Sequence, residues 1–221
     1  MKIDRSSYGA VALVWVLAAV VSAAVFVFVP GWIAGCAVSV LLAAFAVWQT
    51  VFHSVPDRSA CPPEGVVLSA ADGRVVAVKR VMEREHLCRE CMMVSVYMNF
   101  WDVHANYWPV NGEVCYNLYH PGKHFLAFKP KASEENEHAC NCVRTSDGSE
   151  IFFKQLAGGF ARRISCYAVL GDRVRAGEQC GIIKFGSRLD MYLPLDAQIL
   201  VSKGESVTAG VTSIAKLKSK S

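Results

Sequence analysis

The chain has 221 residues, of which 53% are hydrophobic and 19% charged, and its formal net charge is +4. That length holds one domain of ordinary size plus an accessory segment. The charge is modest and no basic stripe is interleaved with aromatics, which argues against a nucleic-acid partner.

Between Ser6 and Pro56 there is no Asp, Glu, Lys or Arg. Within that stretch Ala10 to Val29 and Gly31 to Phe52 are two apolar runs, separated by Pro30-Gly31. Each approaches the ~20 residues that an α-helix needs to cross the hydrocarbon layer, so a helical hairpin is expected. A cleaved signal peptide has a single apolar region of about 7–15 residues and fits two long runs poorly. The tight Pro30-Gly31 connection leaves a re-entrant or monotopic hairpin open beside a fully spanning one. Lys2 and Arg5 precede the hairpin, and Arg58, Lys79 and Arg80 follow it. Positive residues on both flanks favour the cytoplasmic side, so the remainder is expected at the cell membrane on its cytoplasmic face. Nine cysteines are an odd number in a compartment expected to be reducing, which implies mostly free thiols. Lys216, Lys218 and Lys220 form a tail suited to anionic membranes.

Pro56, Pro62 and Pro63 mark a linker out of the hairpin. We therefore divide the chain into residues 1–58, a membrane-associated hairpin with its linker, and residues 59–221, the chemical domain. In the latter, Val66 to Ser69, Arg74 to Val81, Met93 to Met98, Glu113 to Tyr119, Glu150 to Leu156, Arg163 to Val169, Cys180 to Lys184 and Asp190 to Leu193 are rich in Val, Ile, Tyr and Phe. Asp72-Gly73, Asn111-Gly112 and Asp147-Gly148 supply turns between them. Ala132 to His138 reads as a polar loop or short helix, and Gly158-Gly159 with Phe160 to Arg163 as a helical turn. The expected class is mainly β (α+β). From Gly171 to the Gly186 turn the pattern is that of half a barrel-sandwich core, as in biotinyl and lipoyl carriers. Those carriers hold a lysine at the exposed hairpin tip, where this chain has Gly186-Ser187.

A serine following glycine at the junction of two strands can be a self-cleavage site. Attack of the Ser187 hydroxyl on the Gly186 carbonyl gives an ester, β-elimination cuts the chain, and loss of ammonia leaves a pyruvoyl group on residue 187. Gly and Ser are also common turn residues, so the dipeptide alone leaves an ordinary turn open.

The surrounding residues narrow this. Lys184-Phe185-Gly186-Ser187-Arg188-Leu189-Asp190-Met191-Tyr192-Leu193-Pro194 resembles the processing site of the short, archaeal-type phosphatidylserine decarboxylases. Ala71-Asp72-Gly73-Arg74-Val75, Asp102-Val103-His104-Ala105-Asn106, Tyr119-His120-Pro121-Gly122-Lys123, Ala132-Ser133-Glu134-Glu135-Asn136-Glu137 and Gln155-Leu156-Ala157-Gly158 resemble further motifs of that family, in its order. The resemblance implies a proenzyme that cuts itself into a β chain, 1–186, and an α chain, 187–221, which stay associated. It implies a covalent pyruvoyl cofactor at Ser187, which forms a Schiff base with the amine of phosphatidylserine and accepts the electron pair released with carbon dioxide. The implied partners are phosphatidylserine, membrane lipid and the chain's own two pieces.

The same resemblance assigns His104 to proton transfer and Asp72 to processing, as the carboxylate that orients a histidine in a serine-protease-like triad. Where the long bacterial forms carry a second histidine, and short forms commonly arginine, this chain has Tyr107, whose ordinary pKa near ~10 makes it a poor base. The group that deprotonates Ser187 is therefore expected to be His104, with His120 in reserve, and Asp102 beside His104 is either its carboxylate partner or a surface charge. Lys154, Arg162 and Arg163 are candidates to hold the lipid's phosphate or carboxylate, or are solvated cations. Cys88, Cys91, Cys140 and Cys142 offer four thiols, the number a Cys₄ zinc site needs; the resemblance gives no reason to expect a metal. Two other readings remain open: a pyruvoyl decarboxylase of a soluble amino acid, and a non-enzymatic membrane adaptor with a barrel-sandwich domain.

Overall fold

In the computed structural model, residues 2–59, 61–123, 136–158, 163–184 and 187–218 are described. The chain divides into two units, Met1–Pro56 and Asp57–Ser221.

The first unit is built from its two apolar runs. A short strand β1 (Lys2–Ile3) leads into α1 (Tyr8–Phe28), and α2 (Trp32–Phe52) returns to β2 (Ser54–Val55). Runs dominated by Ala, Val, Leu and Phe, with no charged residue, sustain both helices, and Pro30 with Gly31 ends the first, Gly31 taking a φ of 114° that favours glycine. The helices run antiparallel, with Trp15 Nε1 donating to Thr50 Oγ1 at 3.0 Å. Lys2 and Ile3 pair with Val55 and Ser54, so both ends of the hairpin emerge together. Both helices are long and apolar enough to cross a bilayer.

The second unit is mainly β, as its short Val-, Ile- and Tyr-rich runs predict. Its strands are β3 (Val66–Leu68), β4 (Gly73–Glu83), β5 (Arg89–Met98), β6 (Ala105–Tyr107), β7 (Gly112–His120), β8 (His138–Arg144), β9 (Glu150–Ala157), β10 (Arg163–Cys166), β11 (Arg173–Val174), β12 (Gln179–Lys184), β13 (Ser187–Leu193), β14 (Gln198–Ile199), β15 (Ser206–Val207) and β16 (Ser213–Lys216). An eight-stranded antiparallel sheet has the order β11-β7-β8-β9-β13-β5-β4-β15, and two three-stranded sheets have the orders β10-β12-β6 and β14-β16-β3. The expected helical turn at 158–163 and the loop at 132–138 fall mostly outside the described residues. Within them Arg163 opens β10 and His138 opens β8.

Strand β13 is central and buried on both faces. Its period of two sends Leu189, Met191 and Leu193 into the main core with Val94, Val96 and Phe153. Tyr192 points the other way, into a smaller core with Cys91, Met93, Cys140, Cys142 and Phe152. The sequence reading put Gly186-Ser187 at an exposed hairpin tip, and this needs correction. β12 pairs with β10 and β6, whereas β13 pairs with β5 and β9, so the chain changes sheets between Lys184 and Ser187 and Ser187 is wholly buried.

Candidate active site

Ser187 opens β13 opposite Met98 of β5 and Ala157 of β9. Paired residues in adjacent strands share a face, so its side chain points with Leu189 and Met98 into the main core. The Ser187 hydroxyl donates to Met98 Sδ at 3.6 Å. Gly186, the other half of the expected cleavage site, lies outside the described residues.

His104 is brought to this place by the second sheet. It directly precedes β6, whose Ala105 pairs with Ile182 of β12, and its carbonyl oxygen accepts the Ile183 N–H at 3.2 Å. It therefore lies beside the strand that leads to residue 187. Its side chain is fully buried rather than at an open edge. Nδ1 lies 2.8 Å from the carbonyl oxygen of Asp102. A carbonyl only accepts, which assigns the proton to Nδ1 and leaves Nε2 as the basic nitrogen of the neutral ring. Asp102 itself caps the 99–102 turn by accepting the Asn99 N–H at 2.8 Å. Burial raises its carboxyl above the ordinary range despite that bond, and the charge of Asp72 adds to the rise.

Asp72 does not orient His104, a second correction. Its carboxylate is gripped by the Arg58 guanidinium, with Nη2 to Oδ2 at 2.7 Å and a further bond from Nη1 to Oδ1, and it accepts the Ala209 N–H at 2.8 Å. The backbone of Asp102 does for the imidazole what a triad carboxylate would do. Burial works against the charge on Arg58, but the bond and field of Asp72 outweigh it and raise the guanidinium's pKa. Arg58 also lies 5.3 Å over the ring of Tyr107. Burial pushes the Tyr107 phenol far above its ordinary value, so it is still less a base than its type suggests.

Glycine 73 permits the turn that carries Asp72. Its φ is 139°, and a Cβ there would meet the Tyr97 carbonyl oxygen at 2.1 Å, a clash no rotamer relieves.

The remaining candidates separate. Lys154 pairs in register with Asp190, on the face opposite Ser187, and its ammonium lies 2.6 Å from Glu85 Oε2. A buried ion pair occupies it, so it does not flank Ser187. His120 is on that opposite face too, 2.7 Å from Glu85 Oε1, which removes it as a base for Ser187. Arg163 is exposed at the start of β10, in register with Lys184. Arg162 lies outside the described residues. Cys88 is exposed and Cys91 buried, and neither belongs to the groups of potential metal ligands found among the described residues.

Three residues escaped the sequence reading as site members. Met98 Sδ accepts from Asn106 Nδ2, also at 3.6 Å. Asn106 Oδ1 accepts from Gln155 Nε2 at 2.8 Å, and Gln155 Oε1 from Asn141 Nδ2 at 3.4 Å. Asn106, Gln155 and Asn141 are fully buried, forming a polar chain that ends on the sulfur next to Ser187. It passes under Gly181, where a Cβ would lie 2.7 Å from Gln155 Nε2 and 2.5 Å from Ser165 O. Gln155, an amide inside the strand-forming run from Glu150 to Leu156, was the available signal; Asn106 and Asn141 lie outside the runs the sequence marks as strands.

The assembly thus holds a hydroxyl in a dry apolar wall, a histidine with a defined basic nitrogen, and a satisfied amide chain. Residues 45–215 match the phosphatidylserine decarboxylase family. Phosphatidylserine decarboxylase proenzymes of Amoebophilus asiaticus and Parabacteroides distasonis are 44% and 41% identical over 172 and 166 residues, covering 78% and 75% of this chain and 76% of each relative. That of Syntrophus aciditrophicus is 41% identical over 187 residues, 85% of either chain.

Proposed function

The chain belongs to the phosphatidylserine decarboxylase family, and from that premise we propose that it is a self-cleaving proenzyme that converts phosphatidylserine to phosphatidylethanolamine and carbon dioxide. The observation that carries this reading is the burial of Ser187 on a central strand, with His104 held against the strand that leads to it. Cleavage between Gly186 and Ser187 separates a β chain, 1–186, from an α chain, 187–221. The Ser187 hydroxyl adds to the preceding carbonyl and the amide becomes an ester; elimination then breaks the Cβ–O bond as the α-proton leaves, and water adds to the imine form of the resulting dehydroalanine and displaces ammonia to leave the ketone.

The surroundings of residue 187 fit a pyruvoyl group. Met98 and Ala157 flank it with apolar atoms, a water-poor setting in which a ketone keeps its reactivity. When formed, that carbonyl supplies an electron sink for the bonding pair left by carbon dioxide. His104, with Nδ1 fixed on Asp102, offers Nε2 to take the proton of Ser187 and later to hold one for the product carbon. Asp72 is a positioning residue: it fastens Arg58 to the backbone of Ala209, which belongs to the α chain after the cut.

The two pieces stay together because β13 keeps ladders to β5 and β9, β15 to β4, and β16 to β3. Exposed Arg163 is a candidate for the lipid's anionic groups. The apolar hairpin suits a substrate that stays in the bilayer, and positive residues on both its flanks favour a cytoplasmic catalytic domain at the cell membrane.

Intact mass spectrometry of the purified protein tests this. Wild type should give two chains, the smaller carrying a ketone in place of an N-terminal amine, and Ser187→Ala a single inactive chain. Normal cutting of Ser187→Ala would overturn the reading.

A further inference from the structure

On the sheet face opposite Ser187, the β4–β5 turn lays Glu85 over three residues of β7 and β8. Donor atoms of Glu85, His120, His138 and Cys140 all lie within 4.8 Å of one another. Tetrahedral zinc holds such ligands at about 2.0–2.3 Å, which places the ligand atoms roughly 3.5 Å apart. Glu85 already sits 2.7 Å from His120 Nε2 and 3.2 Å from Cys140 Sγ. The two imidazoles stack with centroids 4.6 Å apart.

The turn that brings Glu85 there is ordered from beneath. Buried Glu83 accepts the backbone N–H groups of Glu85, His86 and Leu87 at 2.8, 2.9 and 2.7 Å. Cys88 closes the turn with φ 48°, a region that non-glycine residues rarely enter. The supports of a ligating set are also in place. His138 Nδ1 lies 2.6 Å from the carbonyl oxygen of Asn136, which fixes the tautomer and directs Nε2 outward as the free lone pair. Lys154 donates to Glu85 Oε2 at 2.6 Å, an outer contact that steadies the carboxylate while Oε1 faces His120.

We propose that Glu85, His120, His138 and Cys140 form a binding site for a divalent ion of the zinc class, which clips the β4–β5 turn to the sheet. One thiolate, two imidazoles and one carboxylate make a mixed N, S and O set that suits zinc better than magnesium or calcium, which take oxygen alone. Binding releases the Cys140 thiol proton. The site lies across the sheet from Ser187 and is independent of the decarboxylase reading. His86, Cys115 and Cys142, one position along the turn and two along β8, form a neighbouring three-ligand group that serves as the internal control.

The test uses the full chain in detergent, stripped with a chelator and titrated with zinc or cobalt alone. Metal content should reach one tight zinc per chain, and the cobalt form should show a tetrahedral spectrum with a thiolate charge-transfer band. Cys140→Ser and His138→Ala should lose the ion. Glu85→Gln, which keeps the shape of the side chain, should weaken it by at least about 10-fold, the smallest loss typical even of an outer-sphere partner. Cys142→Ser should leave it intact. Absence of tight zinc from the folded wild type, or an ion kept in Cys140→Ser and lost in Cys142→Ser, would overturn the assignment.

Discussion

Ser187 and Asn106 meet on one atom: Met98 Sδ lies 3.6 Å from the hydroxyl of the first and 3.6 Å from the amide nitrogen of the second. A thioether is a weak acceptor that leaves the hydroxyl little stabilised, and the amide chain behind it fixes where the sulfur sits. Removing Asn106 should therefore disturb both the core and the cut. Asn106→Ala leaves Gln155 Nε2 without its buried acceptor, at a cost of about 1–3 kcal/mol. Denaturant unfolding in a Ser187→Ala background, where cleavage cannot complicate the transition, measures that loss. With Ser187 restored, cleavage should slow. Unchanged stability together with unchanged cleavage would make the amide chain a bystander.

His104→Ala should give a folded protein whose decarboxylation falls by roughly 10²–10⁴-fold, the range for a lost general acid or base. Cleavage should fall with it, since the same Nε2 serves Ser187. The two effects are separated by assaying turnover per cleaved molecule. Full turnover by cleaved His104→Ala would leave the histidine as a core residue bonded to Asp102.

The legible parts of this fold were those with short-range causes. The two apolar runs became α1 and α2 within a few residues because no charged residue or proline interrupts either of them. Most long strands were visible for the same reason, but β8 was not: His138–Arg144 carries His, Asn and two cysteines and gains its strand from β7 and β9 on either side. Ser187 was read as the tip of a hairpin because Gly-Ser is local turn chemistry. Its burial comes from pairing with Met98 and Ala157, partners 89 and 30 positions earlier in the numbering, which no local pattern encodes. Lys154 illustrates the converse. A lysine on a strand looks available for a phosphate until the β4–β5 turn brings Glu85 onto it.

Asp72 and Arg58 give a discriminating pair. Their side chains are 14% and 11% exposed, so leaving one without the other costs up to about 3–5 kcal/mol, the range for a fully buried pair. If Asp72 acts by fastening the 209 segment, Arg58→Met should slow cleavage and lower stability as Asp72→Asn does. Arg58→Met that cuts at the wild-type rate would give Asp72 a direct part in the chemistry.

Glu85 sets an acid limit on the metal-free chain. Burial disfavours its charge, but bonds from Lys154, Cys140 and His120 together outweigh this and lower its pKa from 4.5 to about 2. A carboxyl depressed on folding binds fewer protons than its unfolded counterpart, so its contribution is complete above pH 4.5 and is lost as pH falls toward 2. The contribution is at most about 3 kcal/mol. Glu85→Gln should flatten the pH dependence of unfolding across that window. A curve that keeps its slope would assign the acid sensitivity to other carboxylates.

The last prediction concerns the loop between Met98 and His104. Trp101 is 84% exposed and Phe100 41%, while the Asn99 side chain and Asp102 hold the turn that presents them. An indole held in solvent three residues before the buried His104 is poorly used in water and well used at a headgroup boundary, where Trp partitions readily. Trp101→Ser should therefore lower decarboxylation of phosphatidylserine in vesicles while leaving self-cleavage, and turnover of a short-chain monomeric phosphatidylserine, near wild type. That combination separates surface engagement from chemistry, because a defect in His104 or Ser187 would depress both substrates alike. Equal losses on vesicles and monomers would place Trp101 in the support of the His104 loop instead, and no loss on vesicles would mean that the lipid reaches residue 187 by another edge of the domain.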